Sequence, residues 1–175
     1  MTETSVLDWP LDIHRALGAA AVRQISYVPD AGHARLIELC RDDPRMVATV
    51  LTTEEEGVGL ACGAWLGGER AALLMQSSGV GNCINAFGML KTCGFPFLTL
   101  VTMRGQWGEF NPWQVPMGQT TAAALELAGL IVHPVDAPAE VGPTVAAAAK
   151  LAFDSSVAVA VLLGQRLIGT KSFQK

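Results

Sequence analysis

The sequence predicts an α/β fold of three layers, a six-stranded parallel sheet held between helices (α/β/α). Three observations carry this. Six short runs of aliphatic or β-branched residues recur along the 175-residue chain, separated by helical segments. Most of these runs are continuously apolar rather than alternating, as strands covered on both faces must be. Half of the residues are hydrophobic and only 16% are charged, which is enough apolar material for one domain with a two-sided core.

The elements follow in order. A first helix is placed at about Asp12–Val22, and Pro10 suits its opening turn, where a backbone N–H has no intrahelical partner. The first strand is Ile25–Val28, followed by a helix over Gly32–Arg41 and a strand at Val47–Leu51. A helix over Glu55–Leu66 ends abruptly at Gly67-Gly68. The third strand, Ala71–Met75, leads to a helix over Gly79–Thr92 that Gly94 and Pro96 stop. Strand Phe97–Thr102, helix Gln119–Ala128, strand Ile131–Val135, helix Ala139–Phe153 and strand Val157–Leu163 complete the series. No repeat or linker interrupts it, so residues 1–175 read as a single domain. Ligands are expected at the carboxyl ends of the strands. Those ends carry Pro29-Asp30, Thr52–Glu54, Gln76–Gly81 and Met103–Gly105.

One connection is too long for this scheme. Met103–Gly118 spans 16 residues without clear periodicity and contains Trp107, Phe110 and Trp113. Ordinary connections between a strand and a helix run to about 2–6 residues, and long aromatic loops at strand ends are usually functional or form interfaces.

Composition narrows the function. The net charge is −4 and no basic run occurs, which argues against nucleic acid or an anionic membrane as partner. No apolar run of 18 residues spans a membrane, and the opening Met-Thr-Glu-Thr-Ser is not a signal peptide. Cys40, Cys62, Cys83 and Cys93 form no Cys-x-x-Cys pair, and His14, His33 and His133 are scattered, so no metal site is expected on this chain. A cytoplasmic protein with reduced cysteines fits best. The low charge fraction points to a subunit with large buried interfaces.

Three segments carry candidate chemistry. Glu54-Glu55-Glu56 follows a strand and opens a helix. Carboxylates there complement the helix dipole by about 0.3–1 kcal/mol each. Positions 54, 58, 61 and 65 share one helical face and read Glu, Val, Ala and Trp, so Glu54 heads an apolar stripe while Glu55 and Glu56 turn away. The following Gly57-Val58-Gly59-Leu60-Ala61-Cys62 fails as a dinucleotide fingerprint, because Cys62 stands where the third glycine belongs and three carboxylates would face a pyrophosphate. The second segment, Gln76-Ser77-Ser78-Gly79-Val80-Gly81-Asn82, combines glycines that permit close backbone approach with several polar side chains. Capping by Ser78 accounts for only part of it, so it reads as a ligand loop. It lacks the Gly-x-Ser-x-Gly pattern of a serine hydrolase. Arg104, after the fourth strand, is either a ligand for an anionic group or a surface arginine paired with Glu109. His133, before Pro134, reads as structural.

Taken together, these residues resemble the pyrimidine-binding (Pyr-type) domain of thiamine-diphosphate enzymes, and most closely the branch containing sulfopyruvate decarboxylase α subunits and the matching half of phosphonopyruvate decarboxylases. The likeness rests on Glu54 with Gly63-Ala64-Trp65 nine positions on, the run Leu74 to Ala86, Arg104-Gly105 with Gly108-Glu109, and Gln114-Val115-Pro116-Met117-Gly118-Gln119-Thr120. It implies that Glu54 is the catalytic residue, hydrogen-bonding N1′ of the cofactor's aminopyrimidine. It further implies cofactor-binding roles for Gln76, Ser78, Gly79 and Asn82, and substrate-binding roles for Gln76, Ser77, Asn82 and Arg104. The loop over Met103–Gly118 would close over the substrate, with Arg104 facing a sulfonate or phosphonate. The chain has no Gly-Asp-Gly motif for the diphosphate and its Mg²⁺. The resemblance therefore implies a separate β subunit, a hetero-oligomer, and an active site at the interface of the two. The substrate implied is a small anionic 2-oxo acid. Two alternatives stay open, a decarboxylase or carboligase for a neutral 2-oxo acid, and a non-catalytic subunit of the same fold.

Overall fold

The computed structural model describes residues 8–170; the Met-Thr-Glu-Thr-Ser opening lies outside the described residues. In chain order the elements are α1 (Trp9–Ala19), β1 (Val22–Tyr27), α2 (Ala34–Asp42), β2 (Val47–Val50), α3 (Glu54–Leu66), β3 (Arg70–Gln76), α4 (Ser77–Cys83), α5 (Phe87–Cys93), β4 (Phe97–Thr102), a 3₁₀ turn (Pro112–Gln114), α6 (Val115–Leu127), β5 (Ile131–Val135), α7 (Pro138–Ser155), β6 (Ala158–Leu163) and α8 (Gln165–Ile168). The six strands form one parallel sheet in the order β2-β1-β3-β4-β6-β5.

Period-two alternation along the strands builds a core on each face. On β3, Ala72 and Leu74 enter one cluster with Ile13 and Leu17 of α1, Leu36 of α2 and Val145 of α7. Their neighbours Leu73 and Met75 enter the other, with Val58 of α3, Val80 of α4, Phe87 of α5 and Leu125 of α6. Both faces are therefore apolar, which is why these strands read as unbroken hydrophobic runs.

Several boundaries differ from expectation. The first helix begins at Trp9, capped by Asp8 with Pro10 in its first turn, and ends at Ala19. Val22 belongs to β1, where it is buried and pairs with Arg70. The single helix expected over Gly79–Thr92 is two, broken at Ile84–Ala86. The apolar spacing of Val80, Cys83, Phe87 and Leu90 continues across the break, so periodicity gave no sign of it. Gly94, at φ 67°, closes the second of these helices in the left-handed conformation glycine tolerates. The long connection is only partly irregular: α6 starts at Val115, with Pro116 in its first turn.

Sheet order places the crevice. The chain reverses direction across the sheet between β1 and β3, so α2 leaves on one face and α4 on the other. Their connections part at the carboxyl ends of these two neighbouring strands, the position where open α/β sheets receive ligands. α3 reaches the same place through Gly57, where an added Cβ would collide with Leu73 Cδ1 and lie 2.9 Å from Leu51 Cδ1. Gly57→Ala should therefore destabilise by about 1–3 kcal/mol through overpacking. Gly59→Ala, with nothing within 4 Å of the new carbon, should instead stabilise the helix by up to about 1 kcal/mol. Urea unfolding midpoints of the two variants check both signs.

Candidate active site

The acidic triplet separates as the helical face requires. Glu56 folds back over the start of α3, its Oε2 accepting from Thr52 N at 2.9 Å and Thr53 N at 3.5 Å. Glu55 is exposed. Glu54 is only 8% exposed and stands above Val58 and Ala61, both buried. Its Oε2 accepts one hydrogen bond, 2.8 Å from Asn82 Nδ2 of α4. Its Oε1 accepts none among the described residues. A carboxylate offers about four lone-pair sites, and buried oxygens normally have a partner. One oxygen of Glu54 is thus fixed, and the other has no donor among the described residues.

Gly79 makes this position possible. A Cβ on residue 79 would lie 2.5 Å from Cγ, Cδ and Oε1 of Glu54. Real side chains do not approach so closely, so the carboxylate occupies space that only glycine leaves open. Below it, Cys83 is buried, and burial together with the neighbouring charge of Glu54 and Glu55 pushes its thiol up to about 12. Cys83 is therefore an inert part of the wall, as is the buried Cys62.

A second polar group fills the crevice between β1, β3 and β4. Gln76, at the end of β3, donates from Nε2 to Asp30 Oδ1 at 2.8 Å and accepts at Oε1 from Ser78 Oγ at 3.1 Å. Asp30 Oδ2 accepts from Thr102 Oγ1 at 2.6 Å and from Gly32 N at 3.0 Å. Because a carboxylate only accepts, Asp30 fixes which way the Gln76 amide faces. His33 lies fully buried beneath this loop, its Nε2 3.1 Å from the Leu100 carbonyl, and burial lowers its pKa. Sequence places Asp30 only at a strand end where ligands are expected, and assigns His33 no role. Pro29-Asp30 at a strand end, with Gly32 completing a tight Asx-type turn, is the signal that marks the first of them.

Ser77 and Arg104 turn inward. Ser77 is fully buried and its Oγ accepts from Arg104 N at 3.1 Å, so it faces the protein rather than the crevice. Arg104 is not a surface residue: it is 6% exposed, and its Nε and Nη2 each donate to Glu109 at 2.6 Å. Glu109 also accepts from Gly105 N, Asn111 N and Gln165 Nε2. The pairing with Arg104 holds its carboxyl down at about 2. Gln165, in α8, carries no signal in sequence because a short polar segment after a last strand resembles any surface turn.

A groove of about 490 Å³ between α5 and α6, lined by Ile84, Lys91 and Leu127 among others, includes none of these residues. Among the described residues, no group of three or more His, Cys, Asp or Glu side chains is disposed to hold a metal.

No family-wide sequence profile matches the chain. Over 152 residues it is 36% identical to the sulfopyruvate decarboxylase subunit alpha of Methanococcus maripaludis, covering 86% of this chain and 91% of that protein. The subunit of the same name from Methanocaldococcus jannaschii is 34% identical over 153 residues, 87% of this chain and 90% of the relative. The phosphonopyruvate decarboxylase of Streptomyces viridochromogenes is 32% identical over 118 residues, 66% of this chain but 30% of that protein. Among solved structures, a 2-oxoglutarate:ferredoxin oxidoreductase from Magnetococcus marinus superposes with a TM-score of 0.76 at 14% identity, covering 91% of this chain and 29% of that one. This last likeness shows the fold. The chain belongs to the family of sulfopyruvate decarboxylase α subunits.

Two outcomes follow from the geometry. Gly79→Ala should force the Glu54 carboxylate out of its niche and lower stability by about 1–3 kcal/mol, read as a drop in the urea midpoint; a midpoint equal to wild type would contradict the close approach. Glu109 has a folded pKa of about 2 against an ordinary 4.5. Its contribution to stability is complete above the ordinary value and is lost as pH falls through the folded one. Unfolding free energy measured between pH 5 and pH 2 should therefore fall less steeply in Glu109→Gln than in wild type.

Proposed function

We propose that this chain is the aminopyrimidine-binding α subunit of a thiamine-diphosphate-dependent decarboxylase that converts 3-sulfopyruvate to sulfoacetaldehyde and CO₂. The observation that carries the reading is the Glu54 carboxylate, buried, fixed at Oε2 by Asn82, and without a donor at Oε1 among the described residues. An open carboxylate oxygen on a mostly buried glutamate fits a protonated or hydrogen-bonding ring nitrogen such as N1′ of an aminopyrimidine. When bound, the cofactor supplies the electron sink for loss of CO₂ from a 2-oxo acid.

The chain's own residues then have defined tasks. Glu54 Oε1 holds a proton for the ring nitrogen, beside a wall formed by Val58, Ala61 and Gly79. Asn82 keeps the carboxylate in one rotamer. Gln76 and Ser78 present a pre-set polar wall to cofactor and substrate, oriented by Asp30. Ser77 and Arg104 shape that wall from behind rather than touching substrate.

Diphosphate and Mg²⁺ fall to a partner β subunit on this reading. One observation supports the division: the relatives that match most of the chain are named as alpha subunits. On this reading the chain forms one Pyr-type domain of a hetero-oligomer in the cytoplasm. Phosphonopyruvate is the second substrate reading, favoured by the Streptomyces viridochromogenes relative.

The test is CO₂ release from sulfopyruvate and phosphonopyruvate by the chain co-expressed with its partner, with and without thiamine diphosphate. Glu54→Gln should reduce turnover by about 10²–10⁴-fold, the usual scale of general acid–base help. Turnover at the wild-type rate in that variant would sink the role of Glu54. Absence of cofactor-dependent CO₂ release from the wild-type assembly would favour a non-catalytic subunit.

A further inference from the structure

The segment Met103–Gly118, which joins β4 to the first turn of α6, has the look of a mobile lid: 16 residues, two tryptophans, a phenylalanine and glycines at 105, 108 and 118. Its hydrogen bonds describe something else. The Glu109 carboxylate accepts five of them. Oε2 takes Arg104 Nε at 2.6 Å, Gln165 Nε2 at 3.0 Å and Gly105 N at 3.2 Å. Oε1 takes Arg104 Nη2 at 2.6 Å and Asn111 N at 3.0 Å. Gln165 is 1% exposed, and its Oε1 accepts from both Gln106 N and Trp107 N at 2.9 Å. Gln106 returns the contact, its Oε1 accepting from Gln165 N at 3.1 Å. Four successive or near-successive backbone amides of the loop thus end on two buried side chains.

Backbone contacts close the base. A Cβ on Gly105 would collide with the Gln114 carbonyl, and one on Gly118 would collide with that of Arg104. The two ends of the loop therefore press on each other with no room between them. Gln119 Nε2 adds a bond to the Gly105 carbonyl at 2.8 Å. Breaking one partner out of such a buried, charge-assisted group leaves the other unpaired, which is far more unfavourable than loss of a surface ion pair.

We infer that Arg104 and Glu109 are positioning residues, whose buried two-pronged pair fixes the 105–111 loop as a rigid wall of the site, and that Arg104 does not bind the acid group of the substrate. Glu109 holds the Nε–Nη2 edge of the guanidinium and offsets its charge, which leaves a sulfonate or phosphonate at most the Nη1 side. A lid that opened for each turnover would have to unpair both charges. The substrate part of this inference rests on the decarboxylase reading; the rigidity of the loop does not.

The experiment uses the assembled complex with its partner subunit and two readouts. Hydrogen exchange follows the backbone amides of Gly105, Gln106, Trp107 and Asn111. They should be protected at the level of neighbouring helix amides in wild type, and should exchange about tenfold faster or more in both Arg104→Met and Glu109→Gln. Steady-state kinetics then compare sulfopyruvate with pyruvate, which lacks the acidic tail. A positioning role predicts that each variant changes kcat/KM for both substrates by the same factor. Arg104→Lys, which keeps a cation but cannot form the fork, should behave as Arg104→Met does. Two results would overturn the inference: fast exchange of the four amides in wild type, or a rise in KM confined to sulfopyruvate in Arg104→Met with normal KM in Glu109→Gln. Should neither variant fold, the wild-type exchange alone decides. A complex that is protected as expected but releases no CO₂ would leave the rigid wall standing and remove the decarboxylase.

Discussion

The Glu54 carboxylate lies where it does only because residue 79 has no side chain. Its Cγ, Cδ and Oε1 all fall 2.5 Å from the place a Cβ would take. That contact requires the first turns of α3 and α4 to meet, which in turn requires β2, β1 and β3 to be neighbours in that order. Gly57 brings α3 down onto Leu73 and so sets the depth at which Glu54 sits. Sheet order, two close backbone approaches and one amide from Asn82 together hold a single charged group out of water.

Three carboxylates are largely withdrawn from solvent at the carboxyl ends of the strands, and they differ in how fully they are satisfied. Asp30 accepts from Gln76, Thr102 and Gly32. Glu109 accepts five hydrogen bonds and is held strongly ionised. Glu54 accepts one. A buried polar group with its full complement of partners stiffens a structure, while one with a vacant oxygen is arranged for a ligand. The first two carboxylates build the frame of the crevice and the third keeps an oxygen open to it, a division that charge alone would not reveal.

Much of this was legible in sequence, and the remainder was not for identifiable reasons. Six apolar runs located all six strands, most plainly β3, β4 and β6, whose burial on both faces leaves few polar interruptions. Helical phase separated Glu54 from Glu55 and Glu56 correctly, since a carboxylate above Val58 and Ala61 must face the core. The break between α4 and α5 was invisible, because Cys83 and Phe87 keep the helical spacing across it. The partners of Asp30 and Gln165 were not foreseen because they lie 46 and 59 residues away and are chosen by the fold; Glu109, five residues from Arg104, was foreseen as its partner in one of two readings. Arg104 shows the limit most clearly: its type and position suit either an anion or Glu109, and only the fold shows that the pair with Glu109 forms and is buried.

The central claim is that the open oxygen of Glu54 moves a proton to and from the cofactor. The most direct measurement is the rate of hydrogen–deuterium exchange at the thiazolium C2 of thiamine diphosphate bound to the assembled complex, read by NMR after rapid acid quench. The account predicts that wild type accelerates this exchange and that Glu54→Gln slows it by about 10²–10⁴-fold, in line with loss of general acid–base help, while cofactor remains bound. Equal exchange rates in the two proteins, with cofactor bound to both, would contradict it.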